Sequence, residues 1–269
     1  MITDKNTGVV YKEWRTPDPK AVFLLVHGLG GHAGRWSFLA DYFLRNRISS
    51  YAIGLKGFGR TKGLSGHVDS FETYFGDIRT LRGIIGKADN GKKVFLTGES
   101  VGGVLSFLMA AAEPRSFDGL ICVSPAFASR LKVSFFDYAK MLTPLLYNPK
   151  KQFTVPFDSR MCTRDAAVQR AMDDDPCEHR FATSRFIFNL MTAQIKSGIV
   201  KGRIKMPVLF LLSGNDKLVD PPASKRIFNG LKAKDKSLIE YPDMYHALSI
   251  DLGRERVFKD MLDWVRKRL

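Results

Sequence analysis

Four continuous apolar runs punctuate the chain, each bounded by polar or turn-forming residues. Ala21–Val26 (AVFLLV), Val94–Thr97 (VFLT), Gly119–Val123 (GLICV) and Pro207–Leu212 (PVLFLL) lack the alternation of half-exposed strands. Such runs are expected of parallel strands covered on both faces. Ile48–Ile53 and Ser237–Tyr241 read as further strands, and Gly8–Trp14 as a weakly alternating early one. Between them, Trp36–Arg47, Phe71–Asp89, the Ala-rich Val101–Ala112, Ala223–Leu231 and Val257–Arg268 carry the spacing of helices. This alternation predicts an α/β fold with a mostly parallel central sheet and helices on both faces.

The alternation breaks after Ser124-Pro125. From Ala126 to about Arg203 no strand is legible. Val133–Tyr147 reads as an aromatic helix, Pro156–Met161 as loop, Arg164–Met172 as a short helix and Phe181–Ile199 as an apolar one. The expectation is a helical cap at 126–203 inserted into a core made of 1–125 and 204–269. Phe186, Leu190 and Met191 are candidates for an apolar pocket wall, because Met and aromatic surfaces suit a flexible acyl chain.

The chemistry centres on Val94–Gly103 (VFLTGESVGG), where a strand runs through Gly-x-Ser-x-Gly into a helix. A serine on so tight a turn has strained backbone angles and a side chain pushed clear of the sheet. It needs a base, and the base needs a group to orient it. His246, beyond the last strand, is the only histidine after position 179. His179 falls within the expected cap and reads as a surface or cap-packing residue. Asp216, four residues past an apolar strand in a Gly-Asn-Asp turn, is the first choice of acid. Asp220, before Pro-Pro, and Asp243, on the loop of His246, are the alternatives. The loop His27-Gly28-Leu29-Gly30-Gly31-His32 follows a buried strand. It is placed to donate a backbone N–H to an oxyanion, Leu29 and Val101 being the expected pair. His27 reads as a structural hydrogen bonder.

Composition narrows the setting. The chain has 269 residues, 45% of them hydrophobic, enough for an α/β unit with an insertion. Three cysteines, Cys122, Cys162 and Cys177, do not make a disulfide framework, and a reducing, cytoplasmic compartment is expected. Cys122 sits in an apolar strand and reads as core. No CxxC or HExxH occurs, and neither a metal nor a cofactor is expected. The N-terminus carries no apolar signal core, and Val101–Ala112 is too short to span a bilayer. The net charge of +15 is dispersed along the chain. It suits solvated faces, with peripheral contact to anionic lipid as the functional alternative. No nucleic-acid module is legible.

These residues resemble the monoacylglycerol lipase/lysophospholipase group of α/β-hydrolases, a group of serine aminopeptidase S33 type. The resemblance rests on His27-Gly28-Leu29-Gly30, Gly57–Gly63 (GFGRTKG), Gly98–Gly103 (GESVGG), Phe117-Asp118-Gly119 with Ser124-Pro125, Gly214-Asn215-Asp216 and Tyr245-His246. Within 126–203, Leu131, Thr163-Arg164-Asp165 and Asp175-Pro176 are similar too. It implies the α/β-hydrolase fold, Ser100 as nucleophile, Asp216 as acid, His246 as base, and oxyanion donors Leu29 and Val101. Two motifs depart from the group: Phe58 and Thr61 stand in a loop that commonly reads Gly-His-Gly-x-Ser. Glu99 and Val101 flank a serine commonly set in Gly-His-Ser-Met-Gly. The expected activity is hydrolysis of a lipophilic monoester, a monoacylglycerol or lysophospholipid, through an acyl-enzyme. The alternatives are a carboxylesterase, thioesterase or phenolic-ester hydrolase of less lipophilic substrates. A peptidase would need an acidic site for an amino terminus, for which Asp173-Asp174-Asp175 is the candidate. A hydrolase-like binding module is the non-enzymatic alternative.

Overall fold

The computed structural model describes residues 1–131 and 133–269. The elements run β1 (Ile2–Thr3), β2 (Val10–Trp14), β3 (Ala21–Val26), α1 (Ser37–Leu44), β4 (Ile48–Gly54), α2 (Glu72–Ala88), β5 (Lys93–Glu99), α3 (Val101–Ala112) and β6 (Gly119–Val123). Then come α4 (Phe135–Leu142), β7 (Gln152–Thr154), α5 (Ser159–Cys162), α6 (Ala166–Asp174), β8 (Phe181–Thr183) and α7 (Ser184–Val200). The chain closes with β9 (Val208–Ser213), α8 (Pro221–Asn229), β10 (Lys236–Tyr241) and α9 (Arg254–Arg266).

Eight strands form one sheet in the order β1-β2-β4-β3-β5-β6-β9-β10. The first three neighbours pair antiparallel and every later pair is parallel. This is the α/β-hydrolase fold. The apolar runs are its central strands: β3, β6 and β9 are buried throughout. Side chains of alternate parity enter two cores. Val22, Leu24 and Val26 meet α2 and α3 on one face; Ala21, Phe23 and Leu25 meet α1 and α9 on the other. The parallel register aligns Val26 with Gly98 and Glu99 with Val123. The loops after β3, β5, β9 and β10 therefore leave one edge of the sheet, where folds of this kind place their chemistry.

The described residues between β6 and β9 add no strand to this sheet. They do contain strands, contrary to the sequence reading: Gln152–Thr154 pairs antiparallel with Phe181–Thr183. Phe181–Thr183 was expected as the first turn of the apolar helix, which begins instead at Ser184 behind the Thr183 N-cap. The Thr183 hydroxyl accepts from the Phe186 N–H at 3.2 Å. A capping threonine takes extended backbone angles, so it terminates the strand as it starts the helix. The helix expected from Trp36 likewise starts one residue later, after a 3-10 turn at Ala33–Trp36.

Candidate active site

Ser100 links β5 to α3 with φ 59° and ψ −122°. A non-glycine residue there is strained, and the surrounding packing must impose it. The packing is visible in the glycines beside it. A Cβ on Gly98 would lie 2.1 Å from the Gly102 carbonyl oxygen, and one on Gly102 would lie 2.1 Å from that of Val26. Strand and helix thus cross closer than any side chain allows. The Ser100 carbonyl accepts from Gly103, Val104 and Ala126 N–H, and its own N–H donates to Val123 at 3.0 Å. With the backbone so held, the side chain faces a cavity of about 150 Å³.

His246 and Ser100 both line that cavity. The imidazole Nδ1 lies 2.8 Å from Asp216 Oδ2. Asp216 is fully enclosed; its other oxygen accepts from Leu218 and Val219 N–H at 2.8 and 2.9 Å. With Nδ1 engaged, Nε2 is the nitrogen free to take a proton from a hydroxyl. Burial lowers the His246 pKa, but the charge and hydrogen bond of Asp216, with the charge of Glu99, outweigh burial and an opposing Arg35. The imidazole is left above its ordinary value. Asp220 instead caps α8, accepting from Ala223 N–H. Asp243 pairs with Arg256 and Arg164 on the surface.

Leu29 and Val101 line the cavity beside Ser100. Val101 opens α3, where no intrahelical carbonyl is available to its N–H. His27, below the loop, accepts from Leu55 N–H at Nε2 and so donates Nδ1–H to the Gly28 carbonyl. Burial depresses its pKa to about 3, and it stays a neutral brace. The two unusual loop residues extend this brace. Phe58 packs against the rings of His27, His179 and Phe186. The Thr61 hydroxyl folds the turn by bonding Leu55 and Phe58. His179, expected at the surface or in cap packing, stacks on Phe58 and Phe181.

Of the three expected pocket residues, Leu190 lines the cavity; Phe186 and Met191 do not. Phe186, one turn earlier on α7, is buried edge-on against Phe58 and Phe71. Met191 is a third of a turn round the helix from Leu190 and faces away. The helical partner of Leu190 at the wall is Gln194, four residues on, whose amide donates to the Ala126 carbonyl. Other parts of the wall escaped the sequence reading: Val155 and Phe157 from the loop before α5, Cys162 at its end, Leu218 and Val219 after β9, and Arg35 before α1. Arg35 is paired with Glu178 from 143 residues away, a separation with no local signal. Asp173 and Asp175 do not open onto the cavity: Asp173 bonds Ser159 and Arg180, and Asp175 faces His32 at 3.0 Å.

Three further contacts tie this wall to the sheet edge. Arg164 bonds Asp251, Arg254 pairs with Asp165, and Ala247 N–H donates to the Cys162 carbonyl. Asp251 is fully buried. It accepts from Thr163 Oγ1, from Arg164 N–H and Nε, and from Tyr245 N–H. No group of metal-ligating side chains occurs among the described residues.

The sequence profile of the serine aminopeptidase S33 family matches residues 17–253. The chain is 30% identical to phospholipase YtpA of Bacillus subtilis over 256 residues, 91% of this chain and 95% of that one. It is 29% identical to human monoglyceride lipase, covering 95% of this chain and 86% of the relative. Among solved structures it is similar to Paleococcus ferrophilus monoacylglycerol lipase. The TM-score there is 0.89 at 26% identity, over 97% of this chain and 99% of the other.

Proposed function

Because the chain belongs to the serine aminopeptidase S33 family and is an ester hydrolase, we propose that it cleaves lipophilic monoesters, monoacylglycerols or lysophospholipids. Ser100, His246 and Asp216 are its triad in this reading. The observation that carries it is the cavity, where a strained serine and an Asp-oriented imidazole face a mostly apolar wall. Ser100 Oγ attacks the ester carbonyl while His246 Nε2 takes its proton. The oxyanion is held by Leu29 and Val101 N–H. Collapse expels the alcohol, protonated by His246, and leaves the acyl-enzyme. Water repeats the sequence and releases the acid. Residues 126–203 act as a cap on a core of 1–125 and 204–269: Val155, Phe157 and Leu190 roof the serine. An acyl chain reaching this wall gains about 0.8 kcal/mol per buried methylene, or about fourfold in kcat/KM. A panel varying acyl length and alcohol separately tests the reading. Rates should climb with acyl length on glycerol or lysophospholipid esters. A maximum on short-chain or thiol esters would replace it with the esterase or thioesterase alternative.

Contact with anionic lipid belongs to the same reading. Leu146 is 89% exposed, and Tyr147, Ile195 and Ile199 stand out beside it on neighbouring helical segments. Lys196 on α7, Lys140 on α4, and Lys150 and Lys151 in the loop before β7 are exposed as well. Such a surface suits shallow insertion with basic residues toward headgroups. Added salt should therefore slow hydrolysis in anionic vesicles more than hydrolysis of a soluble ester; equal slowing removes the contact. Among the described residues no helix is long and apolar enough to cross a membrane. The three free cysteines fit a cytoplasmic setting.

A further inference from the structure

Glu99 departs from the commoner elbow, and the structure gives it a partner. It ends β5 one residue before Ser100, is 8% exposed and lines the cavity. Its carboxylate accepts from Ser249 N–H at 3.2 Å and from Ser249 Oγ at 3.0 Å. Ser249 lies in the loop of His246, between the imidazole and the buried Asp251. A carboxylate in so enclosed a place is costly unless it is bonded and has a charge to meet.

We infer, on the triad reading above, that Glu99 is a positioning residue for His246. Its carboxylate anchors the base loop through Ser249 and adds a second negative charge to the wall of the cavity that the imidazole also lines. The charged and titratable groups around this arrangement are few. Asp216 comes from the loop after β9, Arg35 from the turn before α1 and already paired with Glu178, and Cys162 from α5. Burial pushes the Cys162 thiol up to about 12, so it carries no charge near neutrality. Burial also raises the Glu99 pKa, against the pull of His246, the two Ser249 bonds and Arg35. Asp216 sets the tautomer and Glu99 adds field. The imidazolium that forms as Ser100 attacks is stabilised by both carboxylates, and two hydrogen bonds tie the loop to the elbow.

The sign follows. Removing the Glu99 charge makes the imidazolium less stable, so His246 becomes a free base at lower pH, yet the transition state that protonates it is reached less easily. The test is the rate at which a fluorophosphonate labels Ser100, followed across the range where histidine titrates. E99Q keeps the shape and the acceptor for Ser249 N–H. Its acid limb should move down by about half a unit to one unit, and its plateau rate should fall about five- to tenfold. S249A keeps the charge, so its limb should stay in place while the plateau falls about threefold. A wild-type limb and plateau in E99Q, with the wild-type enzyme labelling normally, overturns the inference and leaves the triad standing. Absence of Ser100 labelling in folded wild-type protein overturns the triad itself. Melting curves accompany each variant. If E99Q does not fold, E99D decides, because it keeps the charge and withdraws it from Ser249. Slow labelling with an unmoved limb supports the role, and a wild-type rate overturns it.

Discussion

Ser100→Ala is expected to lower kcat by roughly 10⁶ while the fold and melting temperature stay within error of the parent. That magnitude is what removal of a serine nucleophile costs when base, acid and oxyanion donors act as one unit. The argument is local. The imidazole Nε2 faces the cavity because Nδ1 is held by Asp216, and without the hydroxyl it has nothing to deprotonate except water. Residual turnover should reflect only the two backbone donors and binding. Losing one oxygen at a position already committed to φ 59° removes no packing, so stability is unaffected. The measurement is kcat on a saturating monoester together with a thermal melt. Turnover within a factor of ten of the parent would sink the proposed chemistry.

Gly102→Ala should be among the most destabilising single changes in the molecule, by about 3 kcal/mol or more. The added carbon would stand 2.1 Å from the Val26 carbonyl and 2.5 Å from that of His27. Both are backbone atoms of the central strand and its loop, so no rotamer change relieves the clash. Helix α3 would have to lift from β3, opening the core around Val104 and displacing the Ser100–Val101 turn from the loop after β3. Domains of this kind hold about 5–15 kcal/mol in all. A fall in the urea midpoint and loss of fluorophosphonate labelling should therefore appear together. Gly83→Ala is the control of opposite sign. It lies mid-helix on α2 with nothing within 4 Å of an added Cβ. Alanine there should gain about 0.5–1 kcal/mol through helix propensity. Equal midpoints for both variants would refute the crossing argument.

The parts legible in the sequence are those whose cause is local. The strand runs show because each must be apolar on both faces, and the elbow shows because two glycines and a serine must fall at fixed spacing. Asp216 and His246 show because they follow strands in the expected order. What escaped depends on pairing across long separations. β7 and β8 have three residues each, too short for any period, and exist because each supplies the other's hydrogen bonds. Arg35 looks like an exposed cation until Glu178 covers it. Phe186 and Leu190 share a helix face, yet only the structure distinguishes the one that packs against Phe58 from the one that reaches the cavity. Glu99 was visible as an oddity, but its meaning lay 150 residues away in Ser249.

Asp251 sets a rule for transplanting parts of this molecule. Its carboxylate gathers Thr163 and Arg164 from one side and Tyr245 from the other. The stretch around α5 and the histidine loop are therefore a single hereditary unit. A chimera that swaps one without the other leaves a buried charge short of its donors, at a cost of several kcal/mol. Residues 126–158 cannot be exchanged alone either: β7 pairs with β8 beyond residue 159, Ala126 N–H donates to the Ser100 carbonyl, and Arg130 donates to that of Asp216.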